Sequence, residues 1–148
     1  MSKIMTTAVL LMSLTLTGCH IGSARDCLSG KREAFVTGGF SGLLECSGED
    51  VTLNFVGTTG SGYTVYDYRY RVMSAAVMHG GQRLVIFKGA AYVGQYALSP
   101  PPYSTASVRG SDVHVRTDKP SAEDTVLDFS NGAPSQAFLD GQVVDLYR

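Results

Sequence analysis

The sequence predicts an all-β domain: a small antiparallel β-sandwich or up-and-down barrel of about eight to ten short strands. Three observations predict it. Apolar and polar residues alternate with a period of two over several stretches. Seventeen glycines and eight tyrosines, with many Val and Thr residues, supply tight turns and strands. No segment sustains a helical period. At 148 residues the chain is long enough for one hydrophobic core and short for two.

The elements follow in order. Val51-Thr52-Leu53-Asn54-Phe55 alternates, with Val51, Leu53 and Phe55 on one face. Residues 57–62, rich in Gly, Thr and Ser, form a flexible loop. Residues 63–72 form a long strand, with Tyr66, Tyr68, Tyr70 and Val72 on one face and Val65, Asp67, Arg69 and Arg71 on the other. Residues 73–78 fit one short helical turn, and His79-Gly80-Gly81-Gln82 a turn. Leu84-Val85-Ile86-Phe87 is apolar on both faces, which marks a central strand. Gly89-Ala90 turns into a strand over 92–98. Ser99-Pro100-Pro101-Pro102 lacks ladder donors and makes an extended connector. Strands over 104–108 and 113–117 flank the turn Arg109-Gly110-Ser111-Asp112. Residues 119–124 are a polar loop. Residues 125–129 form a strand with Leu127 and Phe129 on one side. Asp140-Gly141 is a type I′ turn signal between 137–139 and 143–147.

The N-terminus is organised differently. Met1-Ser2-Lys3 gives a positive start, and residues 4–16 are mostly apolar but too short to span a bilayer. Leu16-Thr17-Gly18-Cys19 follows and resembles the lipobox of bacterial lipoproteins. The resemblance implies that residues 1–18 are a removed signal peptide and that Cys19 carries lipid. Residues 19–26 are then a lipidated tether, and 27–148 a single β domain. It also implies a membrane partner through the N-terminal lipid, since two or more acyl chains anchor stably. His20 stands where an aspartate would signal inner-membrane retention, so the expected location is the outer membrane, facing the periplasm.

With Cys19 assigned to lipid, Cys27 and Cys46 remain as a pair in an oxidising compartment. No C-x-x-C motif is present, and no His or Cys lies at metal-ligand spacing around them. A structural disulfide is expected, stabilising the fold by about 3 kcal/mol in the chain-entropy model.

Twelve basic and thirteen acidic residues nearly balance, and no basic run stands out, so nucleic acid is not an expected partner. His79-Gly80-Gly81 resembles the oxyanion loop of lipases, but the G-x-S-x-G motif of that family is absent, and the residues are read as a turn. His114 lies on the polar face of a strand, and His20 in the tether. Glu49-Asp50 sits in a turn. Asp118, Glu123 and Asp124 share one loop with no calcium-loop spacing, so neither a metal nor a cofactor is expected. The tyrosine stripe Tyr66, Tyr68, Tyr70 has two readings: the inner face of the sheet, or an aromatic surface that grips a sugar ring or a protein.

Ser61-Gly62-Tyr63 and Phe87-Lys88-Gly89-Ala90 are loosely similar to the Ser-Gly loop and Lys-Gly strand of the c-type lysozyme inhibitor lipoproteins, small β-barrels of the outer membrane. The spacing here is longer, Trp is absent and the cysteine pattern differs, so no inhibitory residue is carried over. The function expected is a non-enzymatic binding or accessory module of the envelope, such as an inhibitor, an immunity protein or an assembly partner. It would engage a protein or glycan through Tyr66, Tyr68, Tyr70 and the loop residues Thr59 and Ser61. The alternative is a small hydrolase acting on peptidoglycan or another glycan.

Overall fold

The computed structural model describes residues 26–46, 51–74, 76–98, 100–117, 124–139 and 141–148. The expected signal peptide, Cys19, nearly all of the tether, Glu49-Asp50, Asp118, Glu123 and Asp140 lie outside the described residues. One short helix, α1 (Arg32–Gly38), precedes nine strands: β1 (Val51–Thr58), β2 (Tyr63–Ser74), β3 (Val77–Lys88), β4 (Ala91–Leu98), β5 (Thr105–Arg109), β6 (Asp112–Arg116), β7 (Thr125–Asp128), β8 (Gln136–Leu139) and β9 (Gln142–Asp145). They form antiparallel sheets ordered β1-β2-β3-β4, β5-β6-β7 and β8-β9. Every neighbour in a sheet is also a neighbour in sequence, so hairpin turns dictate the topology. The chain is all-β, and these sheets do not close into a barrel.

The four-stranded sheet is the middle layer. On one face Val51, Leu53, Tyr66, Tyr68, Val85, Phe87 and Tyr92 pack beneath Leu28, Phe35 and Phe40 of the α1 segment. On the other face Val65, Leu84, Ile86 and Tyr96 meet Val113, Val115, Leu127, Phe129 and Leu139 of the smaller sheets. Two-sided cover explains why Leu84 to Phe87 is apolar throughout: all four are completely buried. The β2 face of Val65 and Asp67 is covered as well, since both residues are buried.

A bulge lets one strand serve both layers. In β4, Tyr92 faces Phe87 and Gly94 faces Ile86, so Val93 is the extra residue. The bulge reverses the alternation. Tyr92 therefore enters the α1-side core and Tyr96 the opposite one, although their spacing alone would place them together. Past the bulge, the C-terminal segment runs antiparallel beside β4. Gln95 and Tyr147 exchange backbone hydrogen bonds of 2.8 and 3.1 Å. A Cβ on Gly94 would come within 2.9 Å of the Leu146 side chain and 3.0 Å of Tyr147 O, so glycine gives the C-terminal segment room to approach.

The helix was not legible as a period. It runs for seven residues, buries only Phe35 fully, and is set by its ends. Before it, the Asp26 carboxylate accepts from the Leu28 and Gly30 amides at 3.1 and 2.5 Å. After it, Gly39 takes the left-handed conformation (φ 78°), and the Gly39 and Phe40 amides close onto Val36 O and Phe35 O. That cap folds the Phe40 ring onto Phe35, with ring centroids 4.2 Å apart.

Cys27 and Cys46 are bonded, with Cα atoms 5.5 Å apart, and fasten the two ends of the α1 segment. Replacing both with serine is expected to lower the unfolding free energy by about 2–4 kcal/mol, read from urea denaturation. A variant with an unchanged midpoint would show that the segment is held by its aromatic contacts alone.

Three sequence expectations about turns are corrected. Residues 73–78 form no helical turn: Met73 and Ser74 end β2, and Val77 and Met78 begin β3. His79-Gly80-Gly81-Gln82 is not a turn but the middle of β3. The two glycines are there because tyrosines need the space. A Cβ on Gly81 would lie 2.5 Å from the Tyr70 ring, and one on Gly80 would lie 3.1 Å from the Tyr103 hydroxyl on the other face. Finally, the 57–62 stretch is not a flexible loop. Gly57 and Thr58 belong to β1, and the rest is a hydrogen-bonded turn.

Candidate functional site

The residues expected to bind a ligand fall in different environments. Tyr68 is completely buried, and its hydroxyl donates to Leu43 O at 2.9 Å. Burial pushes its phenol up to about 12, so it stays neutral at physiological pH. Tyr66 is 9% exposed and packs edge-on against Phe87 and Phe55. These two are core residues of the α1-side layer and offer no surface to a ligand, because Phe40 and Lys31 lie over their rings. Tyr70, at the end of the stripe, is half-buried. The inner-face reading therefore holds for Tyr66 and Tyr68, and Tyr70 marks where the stripe meets solvent.

Thr59 is also buried, and its hydroxyl is occupied. Thr59 Oγ1 accepts from the Tyr63 amide at 3.0 Å and shares a 3.0 Å hydrogen bond with Ser61 Oγ. The Gly60 amide donates to Gly110 O at 2.7 Å, and Lys88 Nζ donates to Ser61 O. The turn is pinned to the β5–β6 turn and to β3, so Thr59 and Ser61 act as local structure. His79 and His114 lie in different sheets, on β3 and β6. Asp124 pairs with Arg116 at 2.6 Å, and the guanidinium holds its carboxyl below the usual carboxylate range. Among the described residues no group of three His, Cys, Asp or Glu side chains is placed to hold a metal.

Sequence reasoning missed an exposed apolar feature at the far end of the β2–β3 hairpin. Both strands run for twelve residues, longer than their neighbours. β1 pairs no further than Val51 with Tyr70, and β4 no further than Leu98 with Gln82. Residues 72–74 and 77–79 thus pair only with each other among the described residues. From Tyr70 to Ser74 this arm extends about 13 Å at roughly 3.3 Å per residue. Its side chains are apolar and open: Met73 is 66% exposed, Val77 56% and Met78 51%. Met73 and Met78 are direct cross-strand partners, so their side chains share one face, and Val77 lies on the other with His79. At the tip Ala76 adopts the left-handed region (φ 62°), which costs an L-residue about 1 kcal/mol or more.

A free strand edge with apolar side chains is normally blunted by charge, proline or a covering element. Between Val72 and Gly81 the sequence holds no Asp, Glu, Lys, Arg or Pro. Chemically, such an arm can do two things: offer backbone N–H and C=O groups to an added strand, and bury methionine and valine side chains against a partner.

No protein-family model, no curated protein and no solved structure matches the chain. What fold and site define is an antiparallel β-sandwich, helix-covered on one side, with a projecting apolar hairpin.

Proposed function

We propose that this protein is a lipid-anchored, non-enzymatic binding module of the bacterial envelope, and that the β2–β3 arm is the element that engages a protein partner. The observation that carries the reading is the arm itself: two strand edges with no partner strand among the described residues, presenting Met73, Val77 and Met78 to solvent. A protein partner is favoured over a glycan because a sugar supplies no strand to complete a ladder, whereas an extended peptide does. Methionine suits such a surface, since its flexible thioether adapts to irregular apolar shapes. Flexible, low-strain scaffolding is not required, because the double core behind the arm holds its base rigid.

Anchoring rests on the sequence Leu16-Thr17-Gly18-Cys19. Cells fed labelled palmitate should incorporate it into the protein, and Cys19→Ala should abolish both the label and outer-membrane fractionation. Palmitate retained by the variant would remove the anchor from the account.

The docking role is tested with Met73→Glu and Val77→Glu. Each puts a charge on one face of the arm without touching either core. Affinity for the partner captured from envelope extract by the wild type should fall at least tenfold. A hydrolase panel with ester, peptidoglycan and glycan substrates runs beside it. Turnover that disappears in His79→Ala or His114→Ala would replace the binding reading with an enzymatic one.

A further inference from the structure

Arg83 stands on β3 opposite Tyr68, on the α1-side face of the sheet. Its guanidinium carbon lies 5.3 Å from the Tyr70 ring centre, 5.8 Å from Phe40 and 5.9 Å from Tyr68. Arg83 Nη1 donates to Gln95 Oε1 at 3.1 Å. Gln95 is completely buried and is itself held from two sides: its side-chain amide donates to Ser41 Oγ at 3.0 Å, and its backbone is bridged to Tyr147. A fixed glutamine therefore fixes the guanidinium.

What the arginine lacks is a counter-charge. Arg32, Arg69 and Arg116 pair with Glu45, Asp67 and Asp124. Among the described residues no carboxylate pairs with Arg83, and Gln95 Oε1 is the acceptor that it reaches. Holding a cation partly out of water without a counter-charge is destabilising, and aromatic faces offset it only in part. Among the described residues the remaining N–H donors of the planar fork meet no acceptor.

A second donor sits beside it. The Tyr70 ring lies flat over Gly81, two residues before Arg83 on the same face of β3. A Cβ at Gly81 would be 2.5 Å from the Tyr70 hydroxyl oxygen. The centre of that ring lies 5.3 Å from the guanidinium carbon, so the Tyr70 hydroxyl is on the same side of the sheet as Arg83. Arg83 is itself half-buried, as are Tyr70 and its cross-strand partner Ala97, while Ser41 and Leu43 are exposed.

We propose that Arg83 and the Tyr70 hydroxyl form a binding site for a carboxylate. A planar fork matches a planar carboxylate by parallel hydrogen bonds, and one fixed positive charge matches a monoanion. The walls of Phe40, Tyr68 and Tyr70 keep water from screening the contact. The site does not depend on the arm's docking role, since Arg83 lies where β3 is paired on both sides, with Tyr68 and Ala97.

The test follows the Arg83 Nε–H resonance of the full-length protein during titration with sodium acetate, ionic strength held constant with sodium chloride. The resonance should move and saturate at millimolar acetate, and chloride alone should leave it in place. Tyr70→Phe, which removes only the hydroxyl, should weaken binding about fivefold. Arg83→Lys, which keeps the charge and loses the fork, should abolish saturation of the acetate response followed at the Gln95 side-chain amide. Met73→Glu should change nothing. A shift that fails to saturate, an unchanged affinity in Tyr70→Phe, or tighter binding of inorganic phosphate would overturn the assignment.

Discussion

Truncating Phe35 to alanine is expected to lower the unfolding free energy by about 3–5 kcal/mol. Phe35 is the only fully buried residue of α1, and its ring meets Phe40 at 4.2 Å, Phe87 at 5.3 Å and Tyr92 at 5.5 Å. Removing it leaves a void bounded by three rings, two of which, Phe87 and Tyr92, are held from collapsing by strand pairing. The neighbouring Val36 is 62% exposed, and Val36→Ala should change stability by no more than about 0.5 kcal/mol. Urea denaturation of the two variants separates a helix that covers a core from one that merely lies on the surface. A Phe35→Ala midpoint close to that of Val36→Ala would contradict the layered fold.

Gln82→Leu should cost a comparable amount, about 3 kcal/mol or more, for a different reason. The volume is nearly conserved, so packing changes little. What is lost is a buried polar junction. Gln82 Nε2 donates to Asp67 Oδ1 at 2.9 Å and to Ser104 O at 2.7 Å, and Gln82 Oε1 accepts from the Ser104 amide at 2.8 Å. With leucine there, the backbone of Ser104 is left unpaired where the connector from β4 enters the second layer. Asp67 keeps its ion pair with Arg69 at 2.7 Å, so its charge is not orphaned. The expected signature is therefore loss of stability without loss of the fold. Thermal unfolding that matches the wild type would mean that water replaces the glutamine at no cost.

Much of the fold was legible because strand and turn chemistry are local. The double-sided run Leu84 to Phe87 announced an inner strand, and β3 is one. Gly110-Ser111 and Asp140-Gly141 announced two hairpins, found as β5–β6 and β8–β9. Cys27 and Cys46 announced their bond. The misreadings share a cause, which is that glycine has more than one use. Gly80 and Gly81 read as a turn, but they make room for Tyr103 and Tyr70, which are distant in sequence. The glycines of 57–62 suggested mobility, but the Thr59 hydroxyl and the β5–β6 turn pin them. The arm was hidden by the same error, since a turn at His79 ends the hairpin before its apolar tip. The helix was too short to show a period, and only its boundary residues Asp26 and Gly39 carried a signal. Arg83 looked like one of several strand arginines. Its isolation from carboxylates exists only in three dimensions.

The claim that the arm is the docking element is tested most directly by photo-crosslinking in living cells. A photoreactive amino acid is placed at Val77 on the arm and, in a second strain, at Thr52, an exposed position on β1. The account predicts one covalent adduct of defined mass from position 77, suppressed by Met73→Glu, and none from position 52. Equal adducts from both positions, or an adduct from position 52 alone, would contradict it.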